Sequence, residues 1–278
     1  MTTEKHDDIK IKINISHTHF LYKIIYKIQC TPSRPLLHFT QLNFILYTMP
    51  KAYNPNDIYF RKAKERGLRA RSAFKLEEII QRHPKLIRKK SNIVDLGACP
   101  GSFLQILAEN NPGGKICGVD LQEIKKFPRN FPAELKLIQG DIFEEDTAQQ
   151  IFTFFDGKKA DFITSDMAPR TSGIKSVDQY RSIELNQRVL EICDKQLKYN
   201  GNLVSKIFKG EDFEEFWINE FRDRFKTTKT FKPKACRDRS FEMFLIGIGW
   251  KGEQEQKKDS EILEEMTDED YLREMGRL

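Results

Sequence analysis

From residue 91 onward, the chain alternates between two kinds of segment. Strand-length apolar runs at 92–96, 115–120, 135–139, 160–166, 202–208, 228–232 and 241–250 are separated by helix-length stretches at 102–110, 122–127, 144–154, 177–198 and 211–223. Two parallel strands need a crossover between them, so this rhythm predicts a mostly parallel sheet with helices on both faces. Seven strands are expected. The last follows a short connection and is expected to run antiparallel to its neighbour.

Composition narrows the class. The chain has 278 residues, 39% hydrophobic and 32% charged, which suits one large globular domain with additions. No apolar run reaches the roughly 18–20 residues of a membrane helix. The stretch from Phe20 to Ile28 is short and is broken by Lys23 and Lys27. No membrane partner is expected. The five cysteines, Cys30, Cys99, Cys117, Cys193 and Cys236, are scattered and odd in number, which argues against a disulfide framework or a zinc site and fits a reducing compartment. Four of the five histidines fall before residue 49, leaving only His83 in the body of the chain. Histidine catalysis and a metal centre are therefore not expected.

Charge is unevenly placed. The net charge is +6, yet residues 253–278 carry ten acidic and four basic residues. The middle of the chain is accordingly strongly basic, which suggests a polyanionic partner such as nucleic acid, against the plainer reading of solvated lysines.

Three segments emerge: an N-terminal extension (1–48), a main domain (49–252) and an acidic C-terminal tail (253–278). The extension is rich in Ile, Lys, Asn, Tyr and Phe and lacks helical periodicity. Three readings stay open for it: in-frame sequence upstream of a start at Met49, a disordered or partner-bound arm, or a targeting peptide. Arg34 alone among three early acids is poor for an organellar transit peptide. In the main domain, a basic lead-in is followed by a helix over 74–81, with Ser72 as its expected N-cap.

Ile93-Val94-Asp95-Leu96-Gly97-Ala98-Cys99-Pro100-Gly101 reads as strand, tight turn and helix start. Glycine allows positive φ and close backbone approach to a ligand. Doubly wound sheets bind ligands in such a crevice, at the carboxyl ends of their strands. The dinucleotide fingerprint and the Walker A motif are both absent. Asp120 closes the second strand, where a carboxylate accepts ribose hydroxyls, and Asp141 follows the third, where an adenine edge is read. Either aspartate alone also reads as a loop residue capping a helix. With the glycine turn they point to an adenosyl ligand. Gly97-x-x-x-Gly101 with Pro100 resembles the S-adenosylmethionine loop of class I methyltransferases.

Four polar residues remain. Lys75 stands in Ser72-Ala73-Phe74-Lys75-Leu76 and Asp166 in Ser165-Asp166-Met167-Ala168-Pro169. Lys206 interrupts the apolar run Leu203-Val204-Ser205-Lys206-Ile207-Phe208, and Glu242 stands in Ser240-Phe241-Glu242-Met243-Phe244-Leu245-Ile246. A lone buried charge is costly, so Lys206 and Glu242 need partners or a task. Singly, each has a plain reading: a surface helix lysine, a turn aspartate, a snorkelling lysine, an edge-strand glutamate.

Together with their flanking words, these four resemble the Lys-Asp-Lys-Glu tetrad of the FtsJ-type RNA ribose 2′-O-methyltransferases. Gly67-Leu68-Arg69-Ala70-Arg71-Ser72, Gln139-Gly140-Asp141 and Lys206-Ile207-Phe208-Lys209-Gly210-Glu211 also match, so the resemblance runs from about Asn56 to Trp250. It implies a Rossmann-like class I methyltransferase fold and S-adenosyl-L-methionine as cofactor. Lys206 is then the base on the ribose hydroxyl, supported by Lys75, Asp166 and Glu242. Gly97, Gly101, Phe103, Asp120, Asp141 and Asp166 form the cofactor site. One departure is that bacterial members often have Ala-Ala-Pro-Gly-Gly-Trp where this chain has Ala98-Cys99-Pro100-Gly101-Ser102-Phe103. Phe103 is expected to keep an aromatic surface there, with altered cofactor affinity.

Two basic sets are candidates for RNA phosphate contacts: Arg61, Lys62, Lys64, Arg66, Arg69 and Arg71, and Lys234, Arg237 and Arg239 with Lys226, Lys229 and Lys232. The resemblance favours a uridine of large-subunit ribosomal RNA as substrate, reached during ribosome maturation by a cytoplasmic monomer. Alternatives are a tRNA or mRNA-cap ribose methyltransferase, a non-catalytic RNA-binding assembly factor and, more distantly, a nicotinamide oxidoreductase. The complete tetrad argues against a non-catalytic role.

Overall fold

The structure is a computed structural model that describes residues 57–237 and 240–252. The extension at 1–48, the tail at 253–278 and Arg239 lie outside the described residues.

A seven-stranded sheet forms the centre. Its strands are β1 (Asn92–Leu96), β2 (Lys115–Asp120), β3 (Glu134–Gln139), β4 (Ala160–Ser165), β5 (Leu197–Phe208), β6 (Phe225–Phe231) and β7 (Glu242–Trp250). They lie in the order β3-β2-β1-β4-β5-β7-β6. The first five pair in parallel. β7 inserts antiparallel between β5 and β6, so the expected antiparallel final strand is present, one place in from the edge. The connection after β6 is too short for a crossover, so β7 can only turn back.

The helices are α1 (Ile58–Glu65), α2 (Ala73–Arg82), α3 (Ser102–Asn110), α4 (Glu145–Phe154), α5 (Lys175–Gln196) and α6 (Phe213–Phe216). Two apolar cores sandwich the sheet. Residues from α1, α2 and α3 pack with Ile93, Ile116, Phe162, Val204, Phe244 and Ile246 on one face. Residues from α4, α5 and α6 pack with Val94, Val119, Ile163, Leu203, Ile207 and Leu245 on the other. Successive strand residues alternate between the cores, as the period-two pleat requires. Strands covered on both faces read as continuous apolar runs, which is why they are legible in the sequence.

Four local expectations differ from the structure. α1 sits inside the basic lead-in, started by Asp57, whose Oδ1 accepts the Phe60 amide at 3.1 Å. Ala63 is its only buried residue, so its apolar signal is faint. Ser72 does not cap α2, because its Oγ pairs instead with Ser102 Oγ at 2.8 Å. No helix forms over 122–127. Pro128 disfavours helical geometry in the residue before it, and Asp120 Oδ1 takes the Gln122 amide at 2.8 Å. The helix expected over 211–223 breaks into α6, a π-helical turn (Trp217–Phe221) and a 3-10 turn (Arg222–Arg224). There Trp217 stacks on Phe213 at 6.0 Å and on Phe221 at 5.2 Å.

Candidate active site

The strand ends after β1, β2 and β4 converge on one crevice. The Gly97 and Ala98 amides donate to Val119 O at 2.9 and 3.1 Å, folding the turn back over β2. Gly97 has φ of 71°, and a Cβ there would meet Met167 Cγ at 2.7 Å. Gly101, with φ of 103°, begins α3, and a Cβ there would meet Phe127 Cζ at 2.7 Å and Arg69 Nη1 at 2.8 Å. Glycine is therefore required at both ends of the turn.

Asp120 holds this turn from the next strand. Its Oδ2 accepts the Cys99 amide at 2.8 Å while Oδ1 accepts the Gln122 amide. Each oxygen keeps a further lone pair for a ligand hydroxyl. Asp141 stands beyond β3, with Oδ1 on the Phe143 amide at 3.0 Å, so it shapes its own turn. Phe103 is 3% exposed and faces Phe244 at 6.4 Å inside the core. It supports the turn from below and does not offer the aromatic surface expected from the sequence. The remaining donor set, carboxylates at successive strand ends beside a tight glycine turn, fits an adenosyl ligand.

Lys206 and Asp166 meet across two parallel strands. Lys206 is on β5 and Asp166 directly follows β4, its amide donating to Leu96 O at 3.2 Å. Lys206 Nζ lies 2.9 Å from Asp166 Oδ1 and donates a short hydrogen bond to the Asp166 carbonyl. The carboxylate contact is an ion pair without an aligned hydrogen bond. Lys75, on α2, pairs with Glu242, the first residue of β7, at 2.6 Å. All four side chains are sheltered, between 9% and 21% exposed. The structure thus brings the tetrad together as two ion pairs, Lys206–Asp166 and Lys75–Glu242.

The Glu242 carboxyl is coupled to its surroundings. Burial works to raise its pKa, but Lys75, the Cys236 thiol and Lys206 together outweigh burial and hold it below the ordinary glutamate value. Cys236 answers in the opposite direction: burial and the Glu242 charge push its thiol up to about 12, so it stays protonated and acts as a donor.

Several supporting residues gave no sequence signal. Asn186 and Ser182 on α5 stitch the helix to β5 around Lys206. Asn186 donates to Lys206 O at 3.0 Å and accepts from Ser205 Oγ at 2.7 Å, while Ser182 Oγ accepts the Phe208 amide at 3.0 Å. Asp95 lies fully buried beneath the turn, bonded to Thr164 Oγ1 at 2.7 Å, with its second oxygen unpartnered. Burial raises its pKa to about 8, with Asp166 and Asp120 adding to the rise and the Thr164 bond opposing it. A cavity of about 240 Å³ between α4 and α5, lined by Ile142, Glu145, Arg188 and Lys195, contains no tetrad residue and is not part of this site.

The expected RNA contacts divide. Arg61, Lys62 and Lys64 on α1 are exposed, as are Lys234 and Arg237. Arg66, Arg69 and Arg71 are engaged by the protein itself. Arg66 pairs with Glu77 at 2.8 Å, and Arg69 donates to Pro100 O at 2.9 Å and Lys126 O at 2.8 Å. Arg71 pairs closely with Asp57 and donates to Ala235 O. Lys232 Nζ donates to Ser240 O at 2.6 Å.

A mostly parallel sheet with a glycine turn at its switch point and a paired Lys-Asp-Lys-Glu cluster beside it defines a group-transfer enzyme of the methyltransferase class. The sequence matches the profile of the FtsJ-like methyltransferase family over residues 68–250. It is 42% identical to a ribosomal RNA large subunit methyltransferase E from Myxococcus xanthus over 201 residues, 72% of this chain and 92% of that protein. The same-named protein of Methanosarcina barkeri is 43% identical over 197 residues, 70% of this chain and 72% of the relative. A crystal structure of a ribosomal RNA methyltransferase from Plasmodium falciparum superposes with a TM-score of 0.58 at 25% identity, covering 66% of this chain and 99% of that one. The chain belongs to the FtsJ-like methyltransferase family and is a methyltransferase.

Proposed function

We propose that this protein transfers a methyl group from S-adenosyl-L-methionine to the ribose 2′-hydroxyl of a uridine in large-subunit ribosomal RNA during ribosome maturation. The observation that carries the reading is the meeting of Lys206 with Asp166 and of Lys75 with Glu242 at one end of the sheet, beside the glycine turn. The names of its relatives supply the large-subunit RNA. Among the described residues no helix is long and apolar enough to cross a membrane, and no cluster of metal-binding side chains occurs. We take the protein to act as a cytoplasmic monomer.

When bound, S-adenosylmethionine supplies an electrophilic methyl group on a sulfonium. Gly97, Gly101, Asp120, Asp141 and Asp166 are the residues we assign to hold it, with Phe103 beneath. Lys206 Nζ is tetrahedral, with one hydrogen on the Asp166 carbonyl and one side against the Asp166 carboxylate. Its remaining position is available to the ribose 2′-oxygen. In its neutral form Lys206 would take the hydroxyl proton while the methyl carbon passed from sulfur to the ribose oxygen, the carbon–sulfur bond breaking to leave S-adenosylhomocysteine. Asp166 fixes the direction of the lysine, and Lys75 with Glu242 keeps the neighbouring charge balanced. An in-line displacement depends strongly on alignment, so the rigid setting of β4 and β5 contributes much of the rate. Exposed Arg61, Lys62, Lys64, Lys234 and Arg237 are the side chains we assign to RNA phosphates, together with Arg239.

The test is transfer of labelled methyl groups to naked ribosomal RNA, to large subunits from cells lacking the protein, and to tRNA, with nuclease mapping of the label. Ribose label in large subunits that disappears in Lys206→Ala is expected. Label confined to tRNA, or on a base, would overturn the substrate or the chemistry respectively.

A further inference from the structure

We infer that Arg69, which lies in a basic run suited to RNA contacts, is a positioning residue for the cofactor turn. The inference rests on the reading of that turn as the S-adenosylmethionine site. The Arg69 guanidinium bridges two separate walls of the crevice. Nη1 donates to Pro100 O at 2.9 Å in the glycine turn, and Nη2 donates to Lys126 O at 2.8 Å in the β2–β3 connection. Its central carbon lies 3.5 Å from the centroid of the Phe127 ring, which itself packs on Phe131 at 4.6 Å. The same guanidinium and the same ring are what a side chain at Gly101 would strike. A planar cation with forked donors suits this bridge, because it can serve two carbonyls while its face rests on an aromatic ring.

The backbone of Arg69 is fixed just as closely. Its amide donates to Gln105 Oε1 at 2.8 Å, and Gln105 Nε2 donates to Gly67 O at 3.0 Å. Gln105 belongs to α3, the helix the glycine turn opens. Three residues further on, Ser72 Oγ meets Ser102 Oγ at the start of that helix. The segment 67–72 is therefore bonded to the turn, to the helix it opens and to the β2–β3 connection, and it leads directly into α2 and Lys75. One rigid guanidinium spans Pro100 O and Lys126 O, so Arg69 sets the width of the crevice mouth.

The test measures binding of S-adenosylmethionine and of its product S-adenosylhomocysteine by calorimetry on the full chain, for wild type, Arg69→Ala, Arg69→Lys and Phe127→Leu. Methyl-transfer kinetics and RNA affinity at two salt concentrations accompany it. The expected result is a cofactor affinity weakened roughly tenfold in Arg69→Ala, the size of effect for removing charge-assisted hydrogen bonds. Arg69→Lys, which retains charge but not the fork, should recover only part of it. Phe127→Leu should shift affinity in the same direction. The Michaelis constant for the cofactor should rise while kcat at saturating cofactor and the salt dependence of RNA binding are retained. Unchanged cofactor affinity in folded Arg69→Ala, with RNA affinity and its salt dependence reduced, would overturn the inference and make Arg69 a phosphate ligand. Full recovery by Arg69→Lys would overturn the two-carbonyl bridge. Wild type that binds neither compound would instead sink the cofactor reading itself.

Discussion

The tetrad lysines and the basic run from Arg61 to Arg71 carry the same charge and meet opposite fates. Lys75 and Lys206 are 12% and 9% exposed and each touches a carboxylate. Within the basic run, Arg66, Arg69 and Arg71 bind their own protein, while Arg61, Lys62 and Lys64 face outward. The difference teaches which charges sequence can interpret. A lysine in the middle of a buried strand must be compensated, so its position already implies a partner. An arginine in a basic lead-in can face solvent or bridge carbonyls at similar cost, and nothing local distinguishes the two.

The sharpest break in this comparison comes from the tetrad. Lys206→Ala should lower methyl transfer by roughly 10²–10⁴-fold, the range for removing a positioned acid or base, while cofactor binding persists. A drop of only a few-fold, measured in single-turnover assays, would remove Lys206 from the chemistry. Glu242→Gln should also impair transfer, and it tests the second pair through stability. The lowered Glu242 pKa means its stabilising contribution is full above the unfolded glutamate pKa and is lost as pH falls through the lower folded value. Wild-type stability should thus fall faster on acidification than that of Glu242→Gln. Parallel acid-unfolding curves would show that the pair contributes nothing net.

Asp95 provides the intermediate effect, with the opposite sign. Its folded pKa of about 8 lies above the unfolded aspartate value, so the folded state holds an extra proton between them. Stability contributed by that proton declines as pH rises from the unfolded value toward about 8. Asp95→Asn keeps the Thr164 bond and is neutral throughout, so it should flatten the profile, its stability relative to wild type rising as pH increases toward about 8. Denaturant titrations from acid to pH 8 check this, and a difference between the two proteins that does not change with pH would contradict it.

The smaller effects test the outward-facing cations. Reversing charge at Arg61 and Lys64 should weaken RNA binding and lower its salt slope by roughly 0.7 for each phosphate no longer neutralised, without altering cofactor affinity. An unchanged slope would return α1 to ordinary solvated surface. Removal of residues 1–48 should leave transfer unchanged, since the family match begins at residue 68. A shortened chain that folds but does not transfer methyl groups would give the extension a part in substrate binding.

Much of the sheet was legible because β1, β2 and β4 are buried on both sides, and such strands are mostly apolar runs between turn residues. α1 was not legible because one buried alanine leaves no apolar stripe, and 122–127 misled because its helix-like composition ignores Pro128 and the hold of Arg69 on Lys126 O. Phe103 was expected to present an aromatic surface to the ligand: an aromatic residue in the first turn of α3 can face a ligand or the core, and packing on Phe244 decides for the core.

By itself, the sequence determined the alternating sheet, the glycine turn and the two charges, Lys206 and Glu242, that interrupt apolar runs, while Lys75 and Asp166 joined them through the family resemblance alone. Periodicity and lone charges in apolar runs are local properties that any fold of this chain must respect. Only the tertiary structure decided that Lys206 answers Asp166 while Lys75 answers Glu242, that Cys236 stands close enough to couple to that glutamate, and that Arg69 bonds to the glycine turn at Pro100 O. Those pairings join residues up to 167 positions apart, as Lys75 and Glu242 are. Chain order carries no record of distance in space until β7 turns back beside β5 and α2 packs over the sheet.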